Sequence, residues 1–270
     1  MIGNSGPWGA TLVRFLFGIP FSLGFVLIAF ALMPRSDLHW SSAFWTSAIV
    51  GAGSQILGTA AYLNAADRSG FAVATTLQQS SLPLAALTGL IIYGDNVSGQ
   101  AWTGIAIATM GLAALSWPFA GHARGSRAGT VTGLISGSFV GFSLNAFRHA
   151  TLALGERHEA FAAIVCVSVI QVMQAAALIA YLLWRDPAAL GEVMRRWRSS
   201  LRAGFCGASA SASWFVALAL APAASVRALG IVEVAIAAVV GHRIMHEALS
   251  ARQIVAGAIV AVGVVLTTLS

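Results

Sequence analysis

The sequence predicts an all-α fold, a polytopic membrane helix bundle of nine transmembrane helices in two pseudo-symmetric repeats of four and five. Three observations predict it: the composition, nine long apolar runs, and an order of features that recurs in the second half. Of 270 residues, 58% are apolar and 9% charged, whereas soluble domains average about 25% charged. Mean hydropathy is +0.82. A soluble fold of this length cannot hide so much apolar surface, so lipid is the expected solvent. Cytosolic enzymes, nucleic-acid binders and disordered chains are excluded by the same figures. The net charge of +6 does not argue for nucleic acid, because there is no lysine and the 15 arginines are scattered between apolar runs. Cys166 and Cys206 lie inside apolar runs and form no disulfide framework. Met1 to Pro7 has no basic stretch, so it does not read as a cleavable signal peptide.

A helix needs about 20 mostly apolar residues to cross a hydrocarbon core of about 30 Å. The runs that meet this are Gly9–Met33, Ser41–Leu63, Phe71–Tyr93, Ala101–Phe119, Gly129–Leu154, Ala160–Trp184, Leu201–Leu220, Ser225–Met245 and Arg252–Leu269. They are too long and continuous for barrel strands of about ten alternating residues, which leaves helices as the structure that satisfies its own backbone in lipid. Short connections with turn and charge signals separate them, such as Ala66 to Gly70 and Gly94-Asp95-Asn96. Trp40, Trp45, Trp117 and Trp184 fall near run ends, where amphipathic rings suit the headgroup layer. The longest connection, Arg185 to Ser200, has apolar Leu190, Val193, Met194 and Trp197 at helical spacing, with arginines between them. It reads as a short helix on an anionic leaflet, with a solvated loop as the alternative.

The two halves echo each other. Gly51 to Leu63 leads into Ala72 to Tyr93, then Gly94-Asp95, then a run with Gly104 and Gly111. Gly207 to Leu220 leads through Pro222 into Ser225 to Met245, then His246-Glu247, then a run with Gly257 and Gly263. Asp95 and Glu247 are 152 positions apart (247 − 95). The domains expected are a first repeat over 1–120, a linker over 121–128 and a second repeat over 129–270. Since repeats in transporters usually come as equal sets, one helix is expected to be missing before Met1.

Arg14-Phe15 early in the first run, Pro83 followed by Gly94-Asp95, and Glu233 followed by His246-Glu247 and Gly257 give the chain a family resemblance. It resembles the drug/metabolite transporter superfamily, specifically its EamA-type permeases, over nearly its whole length. That resemblance implies ten helices in two five-helix inverted repeats. It also implies secondary transport of small metabolites or drugs, often efflux, with the solute held between the repeats. This chain departs from the pattern at Glu233-Val234, at Gly94-Asp95 and at His246-Glu247, and in the absent opening helix. Arginines divide eleven to four between the two sides defined by the runs. The positive-inside rule then puts the start of the chain in the cytoplasm, whereas the resemblance puts it outside.

Glu233 stands in Gly230 to Ile236 with no basic neighbour in sequence. A charge at mid-bilayer costs roughly 2.5–3.5 kcal/mol on insertion scales, so Glu233 is a candidate for proton coupling or for recognising a cationic solute. The alternative is a neutral structural acid, or a partner for Arg14 or Arg227. Gln55, Gln78, Gln79, Asn145, Gln171 and Gln174 lie inside runs. They either line a wet cavity or act as interhelical glue worth about 0.6 kcal/mol each. Tyr62 and Trp214 are either aromatic walls of that cavity or packing. Arg14 and Arg148 either snorkel to the interface or face an anionic solute. Pro83 is either a simple kink or the break of a site-forming helix. Gly133, Gly137 and Gly141 form a small-residue ridge for close helix approach. His242 and His246 have metal-ligand spacing but no third ligand, so no metal is expected. No nucleophile elbow or phosphate loop appears, so no enzyme activity and no cofactor are expected.

The expected partners are therefore the lipid bilayer, a small organic solute and a coupling proton, in a bacterial cytoplasmic membrane. An intramembrane enzyme is the weaker alternative, because a lone Glu233 supplies no catalytic cluster. The other alternative is a truncated, non-transporting assembly partner. A bundle lacking one helix would expose cavity surface unless it paired, for instance as a homodimer.

Overall fold

The structure is a computed structural model and describes residues 6–33, 37–94, 98–116, 127–155, 158–230, 236, 240 and 251–268. It is 91% helical, with no strand among the described residues. The helices are α1 (Gly6–Leu16), α2 (Ile19–Leu32), α3 (Ser42–Ser69), α4 (Phe71–Gln78), α5 (Ser81–Thr88), α6 (Gly99–Ser116), α7 (Arg127–Leu154), α8 (Glu159–Arg185), α9 (Pro187–Arg195), α10 (Trp197–Leu220), α11 (Ala223–Leu229) and α12 (Ala251–Thr268). A π-helical turn, Gly89–Tyr93, continues α5.

Among the described residues, four helical stretches are long and apolar enough to cross a membrane: Gly6–Leu32, Arg127–Leu154, Glu159–Arg185 and Trp197–Leu220. In α2 large apolar side chains face outward and a small polar one faces inward. Leu32 is 80% exposed and Leu27 71%, while Ser22 is 1% exposed. Large apolar side chains outside and small polar ones inside are what a hydrocarbon solvent selects.

Two runs expected to be single helices are broken. The first divides at Phe17-Gly18, because Pro20 has no N–H to return to the Leu16 carbonyl. The third divides at Gln79-Ser80, four and three residues ahead of Pro83. The connection after Arg185 is helical, as α9, with Asp186 capping its start by accepting from the Ala189 amide at 3.0 Å. The helix packs in part against the bundle: Ala189 and Val193 are buried in a cluster with Leu12, Phe15, Leu178 and Leu182, while Met194 and Trp197 are exposed.

The chain forms two compact units, one from 1–56 and 146–221, the other from 57–145 and 222–270. Each draws on both halves of the sequence, so contact divides the chain differently from the sequence repeat. In the first unit α8 runs antiparallel to α1 and α2. Trp8 meets Tyr181, Gln171 donates to the Phe15 carbonyl, Ser168 to the Ser22 carbonyl, and Phe30 meets Phe161. α10 packs on the same helices. The Phe17 carbonyl lies where a β-carbon at Gly204 would be, and Phe215 of α10 also meets Phe147 of α7, the rings tilted with centres 4.8 Å apart.

In the second unit α6 and α12 form a close antiparallel pair. Gly104 abuts Gly263 and Thr267, and Gly111 abuts Val260 and Ala256. Leu82, Ala108, Val260 and Val264 make the core beside them. α7 lays its glycine ridge on α4 and α5, with Gly133 against Leu77 and Gly141 against Ser81 and Ala85. That ridge is packing, as its spacing suggests.

A single offset connects these elements. α6 and α12 begin 152 positions apart (251 − 99), and so do α4 and α11 (223 − 71). α1 and α8 begin 153 apart (159 − 6), while α3 and α10 end 151 apart (220 − 69). The α6–α12 contacts obey the same offset. Adding 152 to Gly111 gives Gly263, the residue that abuts Gly104, and adding it to Gly104 gives Ala256, the residue that abuts Gly111. The two contacts exchange under one local two-fold axis lying across the helix pair.

Candidate functional site

The polar groups of the second unit gather where α4 gives way to α5. Pro83 offers no N–H to the Gln79 carbonyl, so the chain tightens there. Gln79 N donates to Thr76 O (3.0 Å), Ser80 N to Leu77 O (3.1 Å) and Leu82 N to Gln79 O (2.9 Å). These three-residue-spaced bonds are a short 3₁₀ segment inside an apolar stretch. Gly137 of α7 sits directly over it. A β-carbon there would collide with Ser80 Oγ and lie 3.0 Å from Ser81 N and from Gln78 O.

Side chains around the break are buried and mostly spoken for. Gln78 Nε2 donates to Ser136 Oγ at 3.1 Å, and that hydroxyl donates to the Gly58 carbonyl at 2.7 Å. This relay ties α4 to α7 and α3. Thr75 Oγ1 donates to the Phe71 carbonyl at 2.9 Å, which leaves Tyr62 to donate to Thr75 at 2.8 Å. Asn145 Nδ2 reaches the Ala85 carbonyl at 2.8 Å and Thr88 Oγ1 at 2.7 Å. Gln79 differs. It is 1% exposed, yet its Nε2 has no hydrogen-bond partner among the described residues. A buried amide left unmade costs about 1–3 kcal/mol, so it is the exception in this cluster that asks for a reason.

Arg227 enters the cluster from α11. It is 3% exposed, and its Nε donates to Ser81 Oγ at 2.6 Å. Ser81 is the first residue of α5, so a guanidinium is held at the positive end of a half-helix. Arg227, which the sequence places at the edge of the Ser225–Met245 run, has its charge inside the protein and so does not belong among the arginines that set topology. Nothing in local sequence separates it from a loop residue, except that it stands five positions past Pro222 within an apolar stretch. Ser81, Ser136 and Thr75 also escape a reading that looks only for amides and charges.

The remaining candidates belong to the first unit. Gln174 Nε2 donates to Gln55 Oε1 at 2.7 Å, and Gln171 Nε2 donates to Phe15 O, a carbonyl at the α1–α2 break, at 3.0 Å. Both are interhelical glue. Gln171 Oε1 is buried without a partner among the described residues. Arg14 lays its stem under Gly207 and its guanidinium 5.8 Å from the Phe15 ring, and Trp214 is half-buried in α10. Arg148 donates to the Leu218 carbonyl at 3.1 Å, which caps the end of α10 and complements its negative pole. The amides divide between the units: Gln55, Gln171 and Gln174 belong to the first, Gln78, Gln79 and Asn145 to the second. Glu233, His242, His246 and Glu247 lie outside the described residues. Among those described, no group of His, Cys, Asp and Glu has the makings of a metal site.

The chain matches no protein-family model and no curated protein. Among solved structures 17 chains match. One of them, a crystal structure of a protein of unstated function, superposes with a TM-score of 0.68 over 99% of this chain and 92% of its own, at 16% sequence identity. At that identity the likeness speaks for the fold alone.

Proposed function

We propose that this chain is a secondary transporter, an exporter of small organic solutes across a bacterial cytoplasmic membrane. One observation carries the reading. An apolar stretch is interrupted at α4–α5, and the interruption is surrounded by buried Gln79, Ser80, Ser81 and Arg227. Broken helices and intramembrane polar groups are costly in lipid, and transporters use them where a solute must shed its water. The offset of about 152 residues and the local two-fold of α6 and α12 support a duplicated, inverted architecture of nine spans. That is the geometry in which alternating access proceeds by one repeat rocking against the other. The resemblance to EamA-type drug/metabolite permeases points the same way. Glu233 is the proposed proton carrier, and neither an enzymatic step nor a cofactor is part of the reading.

The test is flux in proteoliposomes loaded with a panel of radiolabelled amino acids, organic acids and amines, with and without an imposed pH gradient. Saturable, protein-dependent movement of at least one class is expected. Glu233→Gln should insert normally and lose the pH dependence. No flux for any class in well-inserted protein overturns the transport reading, and unchanged pH dependence in the variant removes Glu233 from coupling.

A further inference from the structure

We propose that the end of the first unit where α8, α9 and α10 meet is a binding surface for anionic phospholipid headgroups, with Arg185, Arg198 and Arg202 as its cations. The proposal needs the chain to lie in a bilayer, as the transport reading does, but not to carry a solute. Charge is the first observation. Residues 183–206 hold five arginines and two acids, Asp186 and Glu192. Both acids are engaged within the segment. Asp186 accepts from the Ala189 amide, and Glu192 is shared between Arg195 and Arg196. Arg185, Arg198 and Arg202 are exposed and have no carboxylate partner among the described residues. Guanidinium groups left without a counter-charge attract an anion, and their planar forks match the oxygens of a phosphate.

Apolar exposure around these arginines names the source of the phosphate. α8 and α10 are both long and apolar enough to cross a membrane. Arg185 closes the first, and Trp197 opens the second just beyond α9. Trp184 is 77% exposed, with the Arg185 guanidinium carbon 5.3 Å from its ring, and Arg198 stands at the same distance from the exposed Trp197. Indole rings and arginines at the end of a span sit at headgroup depth. α9 is held down by Ala189 and Val193, which are buried against Leu12 and Leu182, while Met194 remains exposed. On α10, Arg198, Arg202 and Phe205 follow one another by four and three positions, so they share a face, and all three are exposed. Two cations with an aromatic ring further into the span match an amphiphile with a charged head and apolar chains. A free phosphate or an acidic protein matches the arginines but not the ring below them.

The full chain is reconstituted in phosphatidylcholine vesicles doped with spin-labelled phosphatidylglycerol or spin-labelled phosphatidylcholine. Electron paramagnetic resonance then reads the fraction of labelled lipid immobilised by the protein. Phosphatidylglycerol should associate at least about fivefold more strongly, since one arginine near an anionic surface is worth about that factor. The preference should shrink at about 1 M salt, where charges are screened beyond about 3 Å. Replacing Arg185, Arg198 and Arg202 together by Gln should bring the two lipids to near equality. Replacing the same three by Lys keeps the charge and should keep most of the preference. Replacing Arg68 and Arg127 of the second unit by Gln, which are also exposed, should leave it intact. Equal association of the two lipids with the parent protein, a preference untouched in the triple Gln variant, or its loss in the triple Lys variant overturns the site. Tight binding of poly-glutamate without any lipid preference overturns it too, and assigns the surface to an acidic protein partner. Protein that does not incorporate into vesicles and immobilises neither lipid sinks the membrane reading along with the site. Incorporated protein that carries a solute but shows no lipid preference sinks the site alone.

Discussion

Gly104 and Gly263 approach so closely that a β-carbon on either would collide with the backbone of the helix opposite. Lipid tails are as apolar as leucine, so helices in a bilayer gain little from burying apolar surface against one another. Close packing and hydrogen bonds must hold them. The α6–α12 contact is the tightest expression of that in the second unit.

Gly104→Val should therefore destabilise the protein by about 1–3 kcal/mol or more, the range for overpacking. Its neighbour α12 offers a control. Nothing lies within 4 Å of where a β-carbon on Gly257 would be, so Gly257→Ala should change stability by less than about 0.5 kcal/mol. Unfolding in mixed micelles measures both, and equal losses would contradict the packing.

Asn145 and Thr88 provide a second stability test. Removing the amide with Asn145→Ala breaks bonds to the Ala85 carbonyl and to Thr88. The expected cost is about 0.6–1.7 kcal/mol, the span measured for interhelical bonds in membranes. Thr88→Ala should be non-additive with it, and a double-mutant cycle with no coupling would dismiss the bond.

Two glutamines should separate glue from site. Gln174→Leu breaks the 2.7 Å bond to Gln55, so it should cost about 0.6 kcal/mol and leave flux per folded molecule unchanged. Gln79→Leu removes an Nε2 with no partner among the described residues, so it should cost little stability and lower flux. The reverse pattern would assign the roles the other way round.

Pro83→Ala returns an N–H that can bond the Gln79 carbonyl and let α4 run on into α5. An interior proline costs a helix about 3 kcal/mol, so the variant should be at least as thermostable as the parent. Its flux should fall, because the 3₁₀ turn that gathers Gln79, Ser80 and Ser81 would be lost. Parental flux in a stable variant would make the proline a simple kink.

Much of this architecture was legible beforehand. Runs such as Ala160–Trp184 and Gly129–Leu154 coincide within two residues with α8 and α7, because a bilayer makes the same apolar demand of every residue in a span. The break at Pro83 is one of the two readings its place in the third run allows. The break at Gly18 is not legible in that way, although Pro20 stands inside the run, since an apolar window averages over a missing N–H. α9 is legible as an amphipathic helix, but not its contact with Leu12, which lies 175 positions or more ahead of it in sequence and is brought there only by the fold.

Sequence composition and periodicity determined the helical class, the apolar character of the long helices and the 152-residue offset, because each is a property of the chain read along its length. Folding settled which polar groups are satisfied. Gln174 finds Gln55 and Asn145 finds Thr88, while Gln79 finds no acceptor among the described residues, and all three look alike in sequence. Arg227 stands at the edge of an apolar run in the sequence, and only the fold of α11 brings it against Ser81. A hydrogen bond depends on atoms within about 3 Å, and along this chain those atoms arrive from as many as 156 positions away.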